Sequence, residues 1–291
     1  MKSNVYIYVT VISFFIVFLF LFLWYYEQDI PVTMSQQQHK EQLKKQGVCL
    51  VSNVFTIEEI QKLHSYVNTK SYKQLKNELM NHNKLISNIR KCTYNSDYVL
   101  QDYMWVIEKS FVHTCHRDNN GDMFNDGQLF PSYTMIIYLE NMDKCLHIYP
   151  ESHNTKYGIF DPMITPIQTV YCKKGDVILF NANLIHSGTF SKNENNIRIQ
   201  MKVTHPKDRQ LIGYYEDFQK VISQENTIPR PIRKLQHHMS CLFPGISDTT
   251  QDKNIQSSRG TSQNAIVSPE QRAFSFFFYG DTSYFDLPNE Y

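Results

Sequence analysis

The sequence predicts a mainly β fold with flanking helices (α+β), preceded by an N-terminal transmembrane helix. Tyr and Phe number 19 each among 291 residues, and aromatic residues are enriched in strands. Short segments rich in β-branched and aromatic residues follow one another in the second half of the chain, which is typical of a sandwich or a barrel. Helical spacing of apolar residues precedes them. A helical layer followed by a β core is therefore expected.

The N-terminal segment from Val5 to Tyr26 contains no charged residue. As a helix it would be about 33 Å long, enough to cross a bilayer core of about 30 Å. Trp24 and Tyr25 lie near its end, where aromatic residues favour the membrane interface. A cleaved signal peptide would have a shorter apolar core followed by small residues. The sequence therefore predicts a retained signal-anchor in a single-pass membrane protein, and the flanking charges favour a non-cytosolic domain.

The helical part of the domain comes first. The segment SQQQHKEQLKKQG predicts a helix that ends at Gly47, and VCLVSNVF follows as a strand. Thr56 and Glu59 have the spacing of a capping box, and the apolar residues of TIEEIQKLHSYV recur at helical spacing. Another helix is predicted over residues 71–90.

The strands of the β region are short, apolar and bounded by turn residues. They are SYTMIIYLE (132–140), CLHIYP (145–150), PIQTVYC (166–172), DVILFNA (176–182) and IRIQMKV (197–203). A last helix is predicted around residues 208–223. The polar composition of residues 245–265 predicts disorder.

These elements divide the chain into four parts. They are an anchor (1–26), a linker (27–34), a folded domain (35–225, with its core at 45–205) and a partly disordered C-terminal extension (226–291). The 29 basic and 28 acidic residues nearly cancel, so charge gives no support for nucleic acid as a partner. The six cysteines show no CxxC and no paired spacing, which argues against a zinc finger and indicates buried free thiols.

The tripeptide His116-Arg117-Asp118 occurs in two unrelated kinds of site. A protein kinase needs an Asn five residues beyond the Asp, but Met123 occupies that position, and the chain has neither Asp-Phe-Gly nor a Gly-rich phosphate loop. The kinase interpretation therefore fails. In an extended segment, residues i and i+2 point to the same face, so His116 and Asp118 can bind one metal ion. Arg117 would then project the other way and be incidental.

A third metal ligand must come from elsewhere in the chain. His186 is favoured because it ends the apolar strand GDVILFNANLIHSG, while His147 and His153 are the nearest contenders. Two histidines and one carboxylate form the facial triad of non-haem Fe(II) sites. A hairpin would bring Arg198 back beside His186, where an inward Arg needs an anionic partner such as a carboxylate. An Arg198 that points to solvent is the alternative.

Four ordered stretches resemble the phytanoyl-CoA dioxygenase-like family of Fe(II)- and 2-oxoglutarate-dependent oxygenases. They are GVCLVSNVFTIEEI, CHRD with its HxD motif, NMDKCLHIYPESH, and KKGDVILFNANLIHSG with NNIRIQMKV, together spanning about residues 45–205. The resemblance implies a double-stranded β-helix (jelly-roll, cupin-like) core in residues 35–225. It also implies that His116, Asp118 and His186 hold Fe(II), and that Arg198 binds the distal carboxylate of 2-oxoglutarate.

The same resemblance implies the activity. A membrane-anchored dioxygenase would hydroxylate an unidentified substrate with O₂ and release succinate and CO₂. Its cofactors would be Fe(II), 2-oxoglutarate and O₂, with ascorbate as an optional reductant. Tyr138 and Ser187 are expected to assist in cofactor binding, and His153 is expected to be structural. The substrate is left open between small molecules, lipids and peptides, and residues 5–26 would bind the lipid bilayer.

Two alternatives stay open beside this interpretation. A prolyl- or lysyl-type protein hydroxylase of the same fold normally meets 2-oxoglutarate with a Lys, so Arg198 argues against it. A non-catalytic membrane-anchored jelly-roll binding protein would need neither the three ligands nor the Arg. The presence of all four residues favours the enzyme.

Overall fold

The computed structural model describes most of the predicted domain and little of the two ends of the chain. The described residues are 8, 10–17, 30–32, 38–93, 95–109, 114–118, 129–154, 166–190, 197–211, 218–223, 228–242, 269 and 272–273. Within them, two β-sheets pack face to face and helices cover the outer face of the larger sheet. The predicted sheet-rich core with flanking helices is confirmed.

The helices and strands are numbered here in chain order. The helices are α1 (His39–Gln46), α2 (Ile57–Asn68), α3 (Tyr72–Met80), α4 (Asn83–Thr93) and α5 (Arg230–Leu242), with a 3₁₀ helix at Pro206–Leu211. The strands are β1 (Val48–Val51), β2 (Val99–Lys109), β3 (Tyr133–Tyr138), β4 (Leu146–Ile148), β5 (Gln168–Val170), β6 (Val177–Asn181), β7 (His186–Gly188), β8 (Arg198–Thr204) and β9 (Phe218–Ser223).

The two sheets are antiparallel at all but one of their described pairings. The larger sheet has the strand order β1-β6-β3-β8-β2-β9, in which only β2 and β9 run parallel. The smaller sheet has the order β5-β4-β7. From β5 to β8, strands consecutive in sequence alternate between the two sheets, so that β6 and β7 lie in different sheets although only a short turn separates them.

Strand β3 contributes side chains to the hydrophobic cores on both faces of the larger sheet. Successive side chains of a strand point to opposite faces, and all six residues of β3 are buried. Met135 and Ile137 pack with the helices, whereas Ile136 and Tyr138 pack against the smaller sheet. The inner face of the larger sheet, together with the smaller sheet, therefore encloses the space in which a site can lie.

Two predicted helix boundaries are confirmed. Gly47 ends α1 in the left-handed conformation (φ 82°), and its N–H donates to the carbonyl of Leu43 at 3.0 Å. A Cβ at Gly47 would lie 2.7 Å from Leu184, so the close approach also requires glycine. At the start of α2, Thr56 Oγ1 accepts from Glu59 N at 3.2 Å while Glu59 Oε2 accepts from Thr56 N at 2.7 Å.

Removing the capping box is expected to cost a modest amount of stability. Thr56→Ala should lower the free energy of unfolding by about 1 kcal/mol, because the backbone N–H of Glu59 loses its acceptor. Ser71→Ala is the matched control, since Ser71 is the N-cap residue of α3 and makes no side-chain capping bond. Urea unfolding measures both variants, and an equal loss in the two would contradict the role assigned to Thr56.

Three predicted elements differ from the structure. The predicted helix over 71–90 is divided into α3 and α4, because His82 Nδ1 accepts from Leu85 N at 3.1 Å and starts a new helix. The helix predicted around 208–223 is wrong, since part of that segment forms β9 on the edge of β2. Strand β2 itself was not predicted. Its edge offers backbone groups that need partners, and pairing there outweighs the helical spacing of the β9 sequence.

The N-terminal anchor is a correction to the sequence-based prediction. Residues 10–17 are helical. In the part of the chain that the structure describes, none of the helices is both long enough and apolar enough to cross a membrane. This finding overturns the predicted transmembrane helix and single-pass localisation. The rest of residues 5–26 and the predicted disordered segment 245–265 lie outside the described residues.

The predicted linker contributes to the smaller sheet. Residues 30–32 run beside Thr169 of β5, where Val32 N donates to the Thr169 carbonyl at 2.9 Å. Thr169 N in turn donates to the Ile30 carbonyl at 2.7 Å. These residues therefore cover the edge of β5, which would otherwise expose unpaired backbone groups.

Candidate active site

His116 and His186 are positioned by direct backbone pairing. Each N–H donates to the carbonyl of the other, at 2.9 Å and 3.0 Å, in an isolated antiparallel bridge. Directly opposed residues of an antiparallel pair place their side chains on the same face, and the two ring centroids are 4.4 Å apart. Asp118 follows His116 by two residues and reaches the same face. The predicted i, i+2 arrangement is therefore present.

The three side chains converge on one point. One ligand atom from each of His116, Asp118 and His186 lies within 4.8 Å of the other two. Asp118 Oδ1 is 3.3 Å from His116 Nε2 and 3.6 Å from His186 Nε2. The side chains are 14%, 11% and 5% exposed respectively, so all three are largely buried.

Each imidazole is held by a backbone carbonyl through its Nδ1 atom. His116 Nδ1 lies 2.8 Å from the Thr114 carbonyl, and His186 Nδ1 lies 3.0 Å from the Leu184 carbonyl. A carbonyl oxygen only accepts, so Nδ1 carries the proton and Nε2 keeps its lone pair. Metal-binding histidines are oriented in this way in proteins. Both Nε2 atoms are therefore ready to bind a metal ion.

The charges of the site favour a neutral His186 imidazole beside an ionised Asp118 carboxylate. Burial lowers the pKa of His186 to about 4, although the Asp118 carboxylate acts in the opposite direction. Burial alone would raise the pKa of Asp118, but the ammonium of Lys202 and the two imidazoles outweigh it and hold that pKa well below its ordinary value. At neutral pH these are the protonation states that metal binding requires.

The second oxygen of Asp118 is occupied by the protein. Asp118 Oδ2 accepts from Thr134 Oγ1 at 3.0 Å, from Gln200 Nε2 at 3.0 Å and from Lys202 Nζ at 3.3 Å. Lys202 also donates to Thr134 Oγ1 at 2.7 Å, and its side chain is 2% exposed. These contacts fix the carboxylate so that Oδ1 faces the imidazoles.

Gln200 and Lys202 were missed by the sequence-based prediction, although the sequence contained a signal for them. In IRIQMKV the polar residues Arg198, Gln200 and Lys202 alternate with apolar ones. Residues two apart in a strand share a face, and the contacts of Gln200 and Lys202 show that this face of β8 points into the site.

Arg198 lies on that inner face, opposite Tyr138 of β3. Burial lowers the pKa of Arg198, and the neighbouring Tyr138 acts in the opposite direction; a guanidinium nevertheless stays charged at neutral pH. Tyr138 donates its hydroxyl to the Cys145 carbonyl at 2.7 Å. The structure therefore brings Arg198 and Tyr138 together on the inner face, while Ser187 follows His186 in β7 and points to the outer face, against Cys241 of α5.

His186 and Arg198 do not lie on the two paired strands of a hairpin, as was predicted. Strand β6 ends at Asn181, whose side-chain oxygen accepts from Asn183 N at 2.9 Å in a tight turn. His186 then lies in β7 of the smaller sheet and Arg198 in β8 of the larger sheet. The two residues therefore approach from opposing sheets.

The two other histidines considered as ligands lie elsewhere. His147 lies beside Ser187 in the register of the smaller sheet, and its ring centroid is 5.3 Å from that of His237 in α5. His153 Nε2 lies 3.1 Å from the Lys44 carbonyl at the end of α1. Neither belongs to the metal-binding cluster, and His153 has the structural contact that the resemblance implies.

Arg117 is not incidental, contrary to the expectation. It is fully buried, and its Nη1 donates to the Ser152 carbonyl at 2.7 Å and also to the Asn183 carbonyl. Ser152 Oγ accepts from Ile185 N at 2.9 Å. Arg117 therefore ties the segment with His116 and Asp118 to the turn that leads into β7. Because both faces of this segment are buried, the residue that points away from the metal site enters the protein interior.

Arg117→Met is expected to lower the free energy of unfolding by about 3 kcal/mol, because it leaves two buried carbonyls without their charged donor. Arg90→Met is the matched control, since Arg90 is exposed on α4 and should change stability by no more than about 0.5 kcal/mol. Urea unfolding of the metal-free chain measures both. Similar stabilities of the two variants would contradict the bracing role of Arg117.

No protein-family model and no curated protein matches the chain. Among solved structures, the epimerase SnoN in complex with Fe³⁺, alpha ketoglutarate and nogalamycin RO is 12% identical with a TM-score of 0.47, over 58% of this chain and 83% of its own. HygX from Streptomyces hygroscopicus, with nickel and 2-oxoglutarate bound, is 16% identical with a TM-score of 0.45, over 60% and 88%. The metals and 2-oxoglutarate belong to those structures, and the present site is interpreted from its own residues.

Proposed function

We propose that this chain is an Fe(II)- and 2-oxoglutarate-dependent oxygenase on a double-stranded β-helix core, an oxidoreductase that hydroxylates an unidentified substrate. One observation carries the proposal. His116, Asp118 and His186 present two Nε2 atoms and one carboxylate oxygen toward one point, while their remaining polar atoms are already bonded within the protein. A facial set of three ligands leaves coordination positions open for 2-oxoglutarate and O₂.

The donor set fits a catalytic transition metal such as iron better than Ca²⁺, Mg²⁺ or a structural Zn²⁺. Ca²⁺ and Mg²⁺ prefer sites made of oxygen, whereas this cluster offers two imidazoles and one carboxylate. A structural Zn²⁺ site closes with a fourth protein ligand. Among the described residues the cluster contains three such groups and no fourth. The set is therefore that of an open catalytic site for a transition metal.

Arg198 is proposed to bind the distal carboxylate of 2-oxoglutarate. Its strand position directs it to the same face as Gln200 and Lys202, which contact Asp118. A planar guanidinium can bind a carboxylate through two parallel hydrogen bonds. Tyr138, opposite Arg198, offers the adjacent wall. Ser187 is left out of this proposal because it points to the outer face.

Different residues of the chain have different roles in the proposed reaction. When bound, Fe(II) with 2-oxoglutarate supplies the activation of O₂, with release of succinate and CO₂. The carbonyls of Thr114 and Leu184 hold the imidazoles in the metal-binding tautomer. Phe180, whose ring centroid is 4.5 Å from that of His186, forms an apolar wall that excludes water from that side.

The lysyl- and prolyl-hydroxylase alternative has one feature in its favour, since β8 also carries a buried Lys. Lys202 Nζ, however, lies 2.7 Å from Thr134 Oγ1 and 3.3 Å from Asp118 Oδ2. It is therefore engaged in orienting a metal ligand, and Arg198 is the better cation for the distal carboxylate.

Arg198→Met should raise the KM for 2-oxoglutarate by about 30- to 100-fold, the equivalent of losing one charge-assisted interaction of about 2–3 kcal/mol. Iron affinity should stay unchanged, because Arg198 does not belong to the metal-binding cluster. Steady-state turnover at varied 2-oxoglutarate measures the effect, with Arg90→Met as the control. An unaltered KM in Arg198→Met would remove Arg198 from the proposed site.

The proposed function is tested with the full chain loaded with Fe(II) without oxygen. Addition of 2-oxoglutarate and O₂ should produce succinate, and omission of iron should prevent it. If the chain binds iron and 2-oxoglutarate but produces no succinate with any supplied substrate class, the non-catalytic binding protein becomes the better account. If it binds neither, the proposed function fails.

A further inference from the structure

All six cysteines of the chain lie in the described part of the structure, are buried, and have another cysteine as a neighbour. Sγ of Cys115 is 2.8 Å from Sγ of Cys241, and Sγ of Cys145 is 2.6 Å from Sγ of Cys172. Cys49 and Cys92 lie in the same buried cluster between the larger sheet and the helices, and the interaction between their thiols raises the pKa of Cys49 and lowers that of Cys92. All six are free thiols in the structure, as the sequence predicted, but each lies near one other cysteine.

We propose that the chain forms three disulfide bonds, Cys49–Cys92, Cys115–Cys241 and Cys145–Cys172. Six cysteines allow fifteen complete pairings, and the fold selects one of them. The inference is independent of the proposed enzyme function, because none of these cysteines belongs to the metal-binding cluster.

Each bond would link separate elements of the fold. Cys49 lies in β1 and Cys92 in α4, so their bond would join the edge of the larger sheet to the helical layer. Cys145 precedes β4 and Cys172 follows β5, and Cys145 N already donates to the Val170 carbonyl at 3.1 Å. Their bond would close the β4–β5 pair.

The third bond would connect the C-terminal helix to the metal site. Cys115 directly precedes His116, and Cys115 N donates to Ser240 Oγ of α5 at 3.0 Å. Tyr149 donates its hydroxyl to the Cys241 carbonyl in the same helix. The two cysteines are 126 positions apart in sequence, and a bond that closes a long loop restricts the unfolded chain most. This bond would hold α5 behind the segment that carries His116.

Each disulfide forms by oxidation of two thiols, with loss of two electrons and two protons. Glutathione disulfide, or the disulfide of a thiol oxidoreductase, accepts them. A cysteine thiolate attacks that disulfide and releases one thiol, and the second cysteine then attacks the mixed disulfide and releases the other. One disulfide in the protein and two small-molecule or partner thiols result.

The competing arrangement is three pairs of hydrogen-bonded thiols. Both arrangements account for the burial and pairing of the cysteines, but only disulfides survive denaturation. The bond from Cys115 to Cys241 would also keep α5 cross-linked to the segment that carries His116 after the chain unfolds. Thiol chemistry after unfolding therefore separates the two.

The experiment counts the free thiols of the full chain. The chain is first reduced and denatured, so that every thiol is exposed, and is then refolded in a glutathione redox buffer that supplies the oxidant. The folded fraction is denatured in N-ethylmaleimide and weighed by mass spectrometry. We expect no adducts before reduction and six after it, one for each cysteine of the sequence. Peptide mapping should show Cys49–Cys92, Cys115–Cys241 and Cys145–Cys172.

Reduction of the folded protein should also lower its melting temperature by on the order of 5–10 °C. The Cys115→Ser, Cys241→Ser double variant provides a second measurement, since it should keep the other two disulfides and lose only part of that shift. Six adducts in the folded fraction without prior reduction, or a different set of linked peptides, would overturn the proposal.

Discussion

His186→Ala should abolish high-affinity Fe(II) binding and, with it, conversion of 2-oxoglutarate to succinate. The variant removes one of three metal ligands, and loss of a mere outer hydrogen-bond partner of a ligand already costs about 10- to 100-fold in metal affinity. We therefore expect a loss of at least about 100-fold. The backbone bridge from His186 to His116 does not involve the side chain, so the fold should persist.

The matched control is His64→Ala. His64 lies in α2, where its Nε2 is 3.5 Å from Glu140 Oε1 and its side chain is 30% exposed. This variant should keep both iron affinity and turnover. Anaerobic titration with Fe(II), together with circular dichroism to verify folding, measures the pair. Equal iron affinity in the two variants would contradict the assignment of His186 as a ligand.

Lys202→Met should destabilise the metal-free chain and strengthen the coupling between folding and metal binding. Without Lys202 the buried Asp118 carboxylate loses its cation, which for buried pairs costs about 3–5 kcal/mol. A bound Fe(II) or Mn²⁺ ion would supply the missing positive charge. Removal of Lys202 also removes a like charge that opposes a metal cation. The metal ion should therefore raise the melting temperature more in this variant than in the unmodified chain.

Lys76→Met is the control that separates a site effect from a general one. Lys76 is the other strongly buried lysine of the described residues, and its Nζ lies 2.6 Å from Asp102 Oδ1, away from the metal-binding cluster. It too should lower stability, but the shift caused by the metal ion should match that of the unmodified chain. Thermal unfolding with and without Mn²⁺ measures both. An unchanged metal-induced shift in Lys202→Met would exclude its proposed role beside Asp118.

The residues of the proposed metal site could be predicted from the sequence because their chemistry is expressed in short patterns. His116 and Asp118 are two apart in an extended segment, and His186 follows an apolar strand. The pairing of His116 with His186 across the backbone could not be predicted, since it depends on β6 and β7 lying in different sheets. The ligand set was therefore predictable, whereas the path that assembles it was not.

Residues that brace the site were harder to predict for a different reason. Arg117 and Lys202 are charged, and each is stabilised in the interior by a partner far away in sequence. Arg117 donates to the Asn183 carbonyl, and Lys202 donates to the Asp118 carboxylate. Average burial tendencies place such residues at the surface. For Lys202 the alternating pattern of β8 indicated an inward position, but for Arg117 no pattern in the sequence distinguished the interior from solvent.

The N-terminal segment shows the limit of composition as evidence. The absence of charge from Val5 to Tyr26 predicted an anchor, yet none of the helices among the described residues is long and apolar enough to cross a membrane. The cysteines show the same limit, since their spacing gave no indication of the three spatial pairs. Pairing of this kind depends on which strands and helices become neighbours.

The central claim is that His116, Asp118 and His186 form an iron site to which 2-oxoglutarate binds directly. The most direct measurement is an anaerobic titration of the Fe(II)-loaded full chain with 2-oxoglutarate, followed by visible absorption. We expect a charge-transfer band that saturates with one 2-oxoglutarate per iron and is absent from His186→Ala. Failure of the full chain to retain Fe(II), or an unaltered band in His186→Ala, would contradict the claim.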